Sequence, residues 1–231
     1  MKNLVIVILI SALFVGCMSN DTANSDTVKQ TEIYQKYTVT YDEPAKELAI
    51  TAQFRFGGNG GTTLQLVDPA YIYYNGKEMS LSNNFIQGTF YKTTEQTDFE
   101  SKHIWEYQDC DEKKFLNGIR LFDGNIDNIA SEISKTNSIS IKWDGSSVQE
   151  NERISILIET NEGSHYETIS TSVKGAKEIV IGPEDLKELP LGAATFQLRR
   201  EIDMPLNEGE HLGGEIDGEF LSKKVAVNIV E

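Results

Sequence analysis

His103, His165 and His211 stand far apart, and none belongs to a His-Glu-x-x-His pair that would set two imidazoles one helical turn apart to hold zinc. No Gly-x-Ser-x-Gly elbow presents a serine nucleophile, and no glycine-rich loop ends in Lys-Ser or Lys-Thr to cradle a phosphate. The run Gly57-Gly58-Asn59-Gly60-Gly61 lacks the lysine and helix of a phosphate loop and reads as a hairpin loop. Cys110 lies in Tyr107-Gln108-Asp109-Cys110-Asp111-Glu112, where neighbouring carboxylates disfavour the thiolate. It reads as a half-buried thiol, with an intermolecular disulfide as the alternative. A glycosidase carboxylate pair can be assembled from distant strands without leaving a mark in sequence. No catalytic, cofactor-binding or metal-ligating residue is assigned, and the chain reads as non-enzymatic.

Two acidic segments and one set of aromatic residues remain. Asp123-Gly124-Asn125-Ile126-Asp127 alternates oxygen ligands as a calcium loop does, but Asn128 stands where the loop needs glycine and Ser134 where it needs a bidentate glutamate. The competing reading is a capped helix start. Between Asn207 and Glu219, the acids Glu208, Glu210, Glu215, Asp217 and Glu219 crowd together with Gly209, Gly213, Gly214, Gly218 and His211. Mutual repulsion is expected to keep this segment open and wet. It is therefore the candidate interaction loop, carried by Glu208, Glu210, His211, Glu215 and Asp217. Tyr71, Tyr73, Tyr74, Phe90, Tyr91 and Trp105 are either a carbohydrate-stacking surface or core filling. Alternation puts Tyr71 and Tyr73 on one face and Tyr74 on the other.

The 231-residue chain has 21 Lys and Arg against 36 Asp and Glu, a formal charge of −15. Such a surface repels phosphate backbones, so no nucleic-acid partner is expected. With Cys110 the single cysteine beyond the N-terminal segment, stability has to come from burial rather than from a disulfide.

The elements that must position these residues follow period two. Tyr37, Val39 and Tyr41 alternate with polar residues, as do Leu48, Ile50, Ala52, Phe54 and Phe56, with Asp42-Glu43-Pro44 as the turn between them. Asn75-Gly76 predicts a tight hairpin turn between Tyr71–Tyr74 and a strand over 77–81. Further strands are expected at 88–93, 102–107 and 115–122. Ile126, Ile129, Ala130 and Ile133 have helical spacing and predict a short helix closing a first domain. Strands then follow at Ile139–Trp143, Ile154–Ile158, Tyr166–Thr171, Ile179–Ile181, Thr195–Arg199 and Val225–Ile229. Gly182-Pro183-Glu184-Asp185-Leu186 predicts a Pro-opened helix. The expectation is an all-β protein of two tandem β-sandwich domains, 32–135 and 136–231, with one or two short helices.

The N-terminal segment carries Lys2, an apolar run from Leu4 to Ile10, then Ser11, Ala12 and Leu13-Phe14-Val15-Gly16-Cys17. Gly16 directly before a lone cysteine resembles the lipobox of bacterial lipoproteins. The resemblance implies that residues 1–16 are removed as a signal peptide and that Cys17 is acylated and becomes the mature N-terminus. It implies a glyceride and an amide-linked chain, and two chains are what durable attachment requires. Met18 stands where some lipoproteins carry the aspartate that retains them in the inner membrane, which favours the outer membrane. Residues 17–31 read as a flexible polar tether. The last 95 or so residues resemble immunoglobulin-like domains through a strand, a short Pro-bounded helix and a strand over Ile179 to Leu198. They lack the paired cysteines of antibody domains.

These readings converge on a lipid-anchored envelope protein acting as a non-catalytic binding or interaction module, with an envelope protein or a glycan as partner. The alternatives are a structural accessory subunit of an envelope or pilus-like assembly and, behind it, a glycan-active enzyme. Replacing Cys17→Ser is expected to move the protein from the membrane fraction to the soluble fraction with its circular dichroism unchanged. Retention in the membrane fraction contradicts the role given to acylation.

Overall fold

A computed structural model describes residues 22–160 and 165–231. The N-terminal segment through Cys17 and residues 18–21 lie outside the described residues, as do the side chains of residues 165–168, His165 among them. The protein is all-β. Its first ten strands are β1 (Thr22–Asn24), β2 (Ile33–Asp42), β3 (Glu47–Phe56), β4 (Thr62–Gln65), β5 (Tyr71–Tyr74), β6 (Lys77–Glu78), β7 (Ser80–Asn84), β8 (Gly88–Gln96), β9 (Lys102–Gln108) and β10 (Lys114–Arg120). Nine more follow: β11 (Ile126–Asn128), β12 (Glu132–Ser134), β13 (Ile139–Trp143), β14 (Glu152–Thr160), β15 (His165–Thr171), β16 (Glu178–Ile181), β17 (Gly192–Pro205), β18 (Gly214–Leu221) and β19 (Val225–Val230).

A long sheet runs through the whole molecule in the order β1-β4-β3-β2-β18-β17-β14-β15, with β7 and β8 joined to β3, and β19 and β12 joined to β17. Two small sheets lie apart from it: β10-β9-β5-β6 in the first half and β11-β13-β16 in the second. Each half buries its own core. In the first, aromatic rings dominate: Tyr37 stacks on Trp105 with centroids 5.3 Å apart, and Phe54 meets Tyr107 at 4.4 Å. In the second, β-branched residues dominate, with Ile141, Ile154, Ile156, Ile158, Ile179 and Ile181 all buried. The first core follows from the alternation, since every second residue of β2, β3 and β9, Phe56 aside, is buried and the intervening ones, Arg55 aside, are not. The turn at Asn75 (φ 46°) and Gly76 (φ 79°) takes the left-handed backbone that Asn-Gly tolerates. The helix at 182–186 forms as expected over Pro183–Leu186, its Asp185 carboxylate accepting from the Gly182 N–H at 3.1 Å.

Three expectations are corrected. Residues 22–31 are not a free tether: β1 pairs in parallel with β4, Ser25 is fully buried, and buried Gln30 donates to the Ser25 carbonyl at 2.7 Å. Ala23 and Val28 pack against the first core, and polar side chains satisfied by backbone groups let the segment fold without a period-two pattern to announce it. The spacing Ile126, Ile129, Ala130, Ile133 makes no helix, because Ile126 pairs across from Trp143 and β12 joins β19, so open strand edges outweigh a weak helical pattern. A boundary at 135/136 leaves β18 on the wrong side, for its Ile216 and Phe220 lie in the first core, and β18 pairs in parallel with β2 along its whole length.

The strand common to both halves is β17. Gly192–Phe196 pair with β19, Arg199–Pro205 pair with β18, and β14 covers the opposite edge from Thr160↔Ala194 to Glu152↔Ile202. At the handover, buried Ser222 bonds to Leu198 twice, its N–H donating to the Leu198 carbonyl at 2.9 Å and its hydroxyl accepting from the Leu198 N–H at 2.9 Å. Beside it sits Arg200, whose side chain is 1% exposed. Arg200 Nε and Nη2 donate to the two oxygens of fully buried Glu152 at 2.7 and 2.9 Å. Its Nη1 donates to the Asp123 carbonyl at 2.6 Å, its Nη2 to the Ser146 hydroxyl at 3.1 Å, and its guanidinium lies 5.6 Å from the Phe122 ring centroid. Gly124 must be glycine for this approach, since a Cβ there would lie 3.0 Å from the Asp144 carbonyl and 3.3 Å from Arg200 Nη1. Replacing Arg200→Ala leaves Glu152 as an uncompensated buried charge and is expected to cost about 3–5 kcal/mol in urea unfolding. A double replacement with Arg200→Met and Glu152→Leu should recover most of that loss, and a single-variant cost under about 1 kcal/mol contradicts the assignment.

Candidate functional site

The outward face of the β10-β9-β5-β6 sheet is built by the same alternation that fills the first core. Ile72 and Tyr74 of β5 point inward, so Tyr71 and Tyr73 point out. Their rings stack on one another with centroids 4.7 Å apart. Register places Tyr73 beside Glu106 and Leu116, Tyr71 beside Gln108 and Lys114, and Ile104 opposite Gly118. The Tyr71 hydroxyl donates to Glu106 Oε1 at 2.8 Å, and Lys114 Nζ lies 3.6 Å from the same oxygen and 5.7 Å from the Tyr71 ring centroid. Its hydrogen bond with Tyr71 raises the Lys114 ammonium above its usual range. A groove of about 620 Å³ lies along β9 and β10, lined among others by Lys102, Ile104, exposed Leu116, Gly118 and Arg120. Gly118 contributes no side chain, and a Cβ there would sit 2.8 Å from the His103 carbonyl.

The acidic segment behaves differently from its expectation. Glu208 is tied to β10 by three hydrogen bonds: its N–H donates to Asn117 Oδ1 at 2.9 Å, its carbonyl accepts from Asn117 Nδ2 at 2.7 Å, and its carboxylate accepts from the Leu116 N–H at 2.6 Å. Glu210, its side chain only 10% exposed, is paired with Lys113 at 2.7 Å. The loop is thus laid against the free edge of β10 rather than held open, since partners on β10 offset its self-repulsion. Glu215 and Asp217 belong to β18, where Lys36 bridges them at 2.6 and 2.8 Å. Burial alone would lower the Lys36 ammonium, but hydrogen bonds to Asp217 and Glu215 outweigh it and raise it. His211 stays exposed on the loop.

A second groove, of about 330 Å³, crosses the long sheet with Glu201, Asp203, Asp217 and Glu219 along it. Register sets Glu201 opposite Glu219 and Asp203 opposite Asp217. Arg153 and Arg199 lie 2.9 and 3.3 Å from Glu201, and burial, then Glu201 and Asp42 against Arg199, push the Glu219 carboxyl up. Arg153 and Arg199 thus hold Glu201, Arg199 also acts on Glu219, and Lys36 holds Asp217. Among the described residues no three His, Cys, Asp or Glu side chains converge as a metal site. Asp123 and Asn125 form neither a calcium loop nor a helix cap: Asp123 offers its carbonyl to Arg200, and the Asn125 side chain accepts from the Lys223 N–H at 3.0 Å. Cys110 is a free thiol raised chiefly by burial, with the Ser25 hydroxyl 3.2 Å away.

Of the aromatic candidates, Tyr71 and Tyr73 form the platform, Tyr74, Tyr91 and Trp105 are buried, and Phe90 is half-buried. Sequence reasoning did not single out Glu106, Lys114, Leu116 or Gly118. Gly118 within the alternating strand 115–122 carried the available signal.

No protein-family model and no curated protein matches the chain. Among solved structures it is similar to Bacteroides ovatus SGBP-B of the mixed-linkage glucan utilization locus, in complex with mixed-linkage heptasaccharide, at 12% identity and a TM-score of 0.25. That match covers 80% of this chain and 53% of the other, so the chain spans about half of that structure's length. A likeness of this size carries no argument about the site.

Beneath the groove, fully buried His103 takes a hydrogen bond between its Nδ1 and the Tyr74 hydroxyl at 2.6 Å, and burial lowers its pKa to about 4. In the unfolded chain the same imidazole titrates near 6.5. The unfolded state therefore binds more protons between those values, and stability is expected to fall as pH drops from about 6.5 towards about 4, by at most about 1.4 kcal/mol per pH unit. Urea unfolding of wild type and of His103→Gln across that window checks this, because the variant should lose that part of the slope.

Proposed function

We propose that the protein is a non-catalytic glycan-binding module of the cell envelope, held at a membrane by acyl chains on Cys17. The outward face of the β10-β9-β5-β6 sheet is its binding surface. What carries the reading is the stacked, outward-facing Tyr71–Tyr73 pair on β5, the strand next to β9, which with β10 lines an open groove where Gly118 contributes no side chain. A pyranose ring has an apolar C–H face that lies on an aromatic surface and a rim of hydroxyls that needs hydrogen-bond partners. Glu106, Gln108 and Lys114 supply those partners beside the rings. An open groove along two strands suits an extended polymer lying across it. The net charge of −15 selects against anionic polysaccharides and favours neutral ones.

Titration calorimetry with a panel of soluble neutral polysaccharides, mixed-linkage glucan among them, is expected to find a ligand whose affinity falls about tenfold in Tyr73→Ala, the equivalent of about 1.4 kcal/mol. Glu215→Gln, on the other sheet, should bind as wild type does. A ligand whose affinity ignores Tyr71 and Tyr73, or a panel with no ligand, counts against this surface.

A further inference from the structure

The hairpin joining β7 to β8 ends in two large apolar side chains that lie outside both cores. Phe85 is 90% exposed and Ile86 80% exposed. Asn84 Oδ1 accepts from the Ile86 and Gln87 N–H groups at 3.0 and 2.7 Å. The Gln87 carbonyl accepts from Gln53 Nε2 at 2.7 Å and Arg55 Nη2 at 3.2 Å, pinning the tip to β3. The two side chains are therefore presented by a fixed turn. From Met79 to Thr94 the sequence contains Lys92 and no carboxylate, in a chain whose net charge is −15. The neighbouring loop 57–61 has no carboxylate either, and Arg55 ties it to this end through the Gly61 carbonyl at 2.8 Å.

The N-terminal part of the chain reaches the fold at this end. Thr22 pairs with Thr63, and its hydroxyl lies 2.7 Å from that of Thr89, three residues beyond Ile86. β1 begins at Thr22, whose partner on the parallel strand β4 is Thr63, two residues beyond the 57–61 loop. Four residues stand between Cys17 and Thr22, and the five steps along the chain reach about 17 Å at full extension. Acyl chains on Cys17 thus hold this end of the protein close to the lipid.

We propose that Phe85 and Ile86 seat the protein on its membrane, dipping into the headgroup and acyl boundary of the leaflet that holds Cys17; the inference rests on the acylation of Cys17. An amphipathic element placed there buries its apolar side chains about 5–10 Å below the surface. The absence of carboxylates from Met79 to Thr94 removes, at the tip, the repulsion that the rest of the protein would meet at anionic headgroups. The anchor supplies the attachment, while the tip fixes which end faces the lipid.

The test uses the acylated full-length protein carrying Phe85→Trp, in vesicles of phosphatidylethanolamine and phosphatidylglycerol with part of the lipid brominated on its acyl chains. After subtraction of the wild-type signal from buried Trp105 and Trp143, the emission of the introduced indole is expected to shift to the blue and be quenched by bromine. In a second arm, Cys17→Ser protein is sedimented with the same vesicles, and adding Phe85→Asp with Ile86→Asp should lower its partitioning at least about tenfold. Emission that stays red and open to aqueous iodide, on protein whose mass shows the acyl chains, overturns the seating alone. Cross-linking of position 85 to a second copy or to another protein, without bromine quenching, also overturns it. A mass showing an unmodified N-terminus overturns the anchor and the seating together.

Discussion

A single buried guanidinium holds the two halves in one arrangement. Arg200 sits on the strand that both halves share and reaches the acid that opens β14, the carbonyl of the segment linking the two cores, and the hydroxyl of the following loop. The planar fork of arginine allows this, since lysine offers a point charge and cannot grip a carboxylate at two places while donating elsewhere. Its pair with Glu152 is no source of net stability, because the cost of desolvating both charges roughly cancels their attraction. What it supplies is direction: a linker carbonyl and two loops have low-energy positions only around this group.

That constraint makes the long sheet continuous. Most two-domain chains are joined by a linker, whereas here β17 changes partner midway, from β19 to β18, without leaving the sheet. The Ser222 bonds to Leu198 absorb the break between those partners. The platform of Tyr71 and Tyr73 thereby rests on a rigid body, for its sheet packs across an aromatic core onto β2 and β18, and β18 is fixed by β17. The acidic loop between β17 and β18 completes the frame by closing the outer edge of β10 through Glu208. The outward tyrosine face and its supporting edge thus come from distant parts of the chain.

Much of this architecture could be read from the residues themselves. Period-two alternation is local, so the strands around Tyr37, Leu48 and Ile154 were legible, as were the Asn75-Gly76 turn and the Pro183 helix. What depended on distant partners was not. The spacing from Ile126 to Ile133 is a short helical stripe, and the waiting edges of β13 and β19 decide against it. Residues 22–31 have the composition of a linker and fold because Gln30 and Ser25 find backbone partners no local rule foresees. The acids after Asn207 look repulsive in isolation and become edge caps once Asn117 and Lys113 face them. For the binding face, Tyr71 and Tyr73 were visible as an outward pair, but the charged and small residues beside them come from two strands whose register no periodicity fixes.

The parallel pairing of β2 with β18 has a bearing on how the molecule is made. Gly214 to Leu221 must arrive beside Gln35 to Asp42, so the first sheet has to wait for a segment about 180 residues further along the chain. Until then, a ten-residue strand edge stands bare next to half-filled rings, an arrangement prone to sticking to other chains. The pairing also means that the two halves are not separable modules: the first, cut free at residue 135, would lack both the wall and the lid of its own interior.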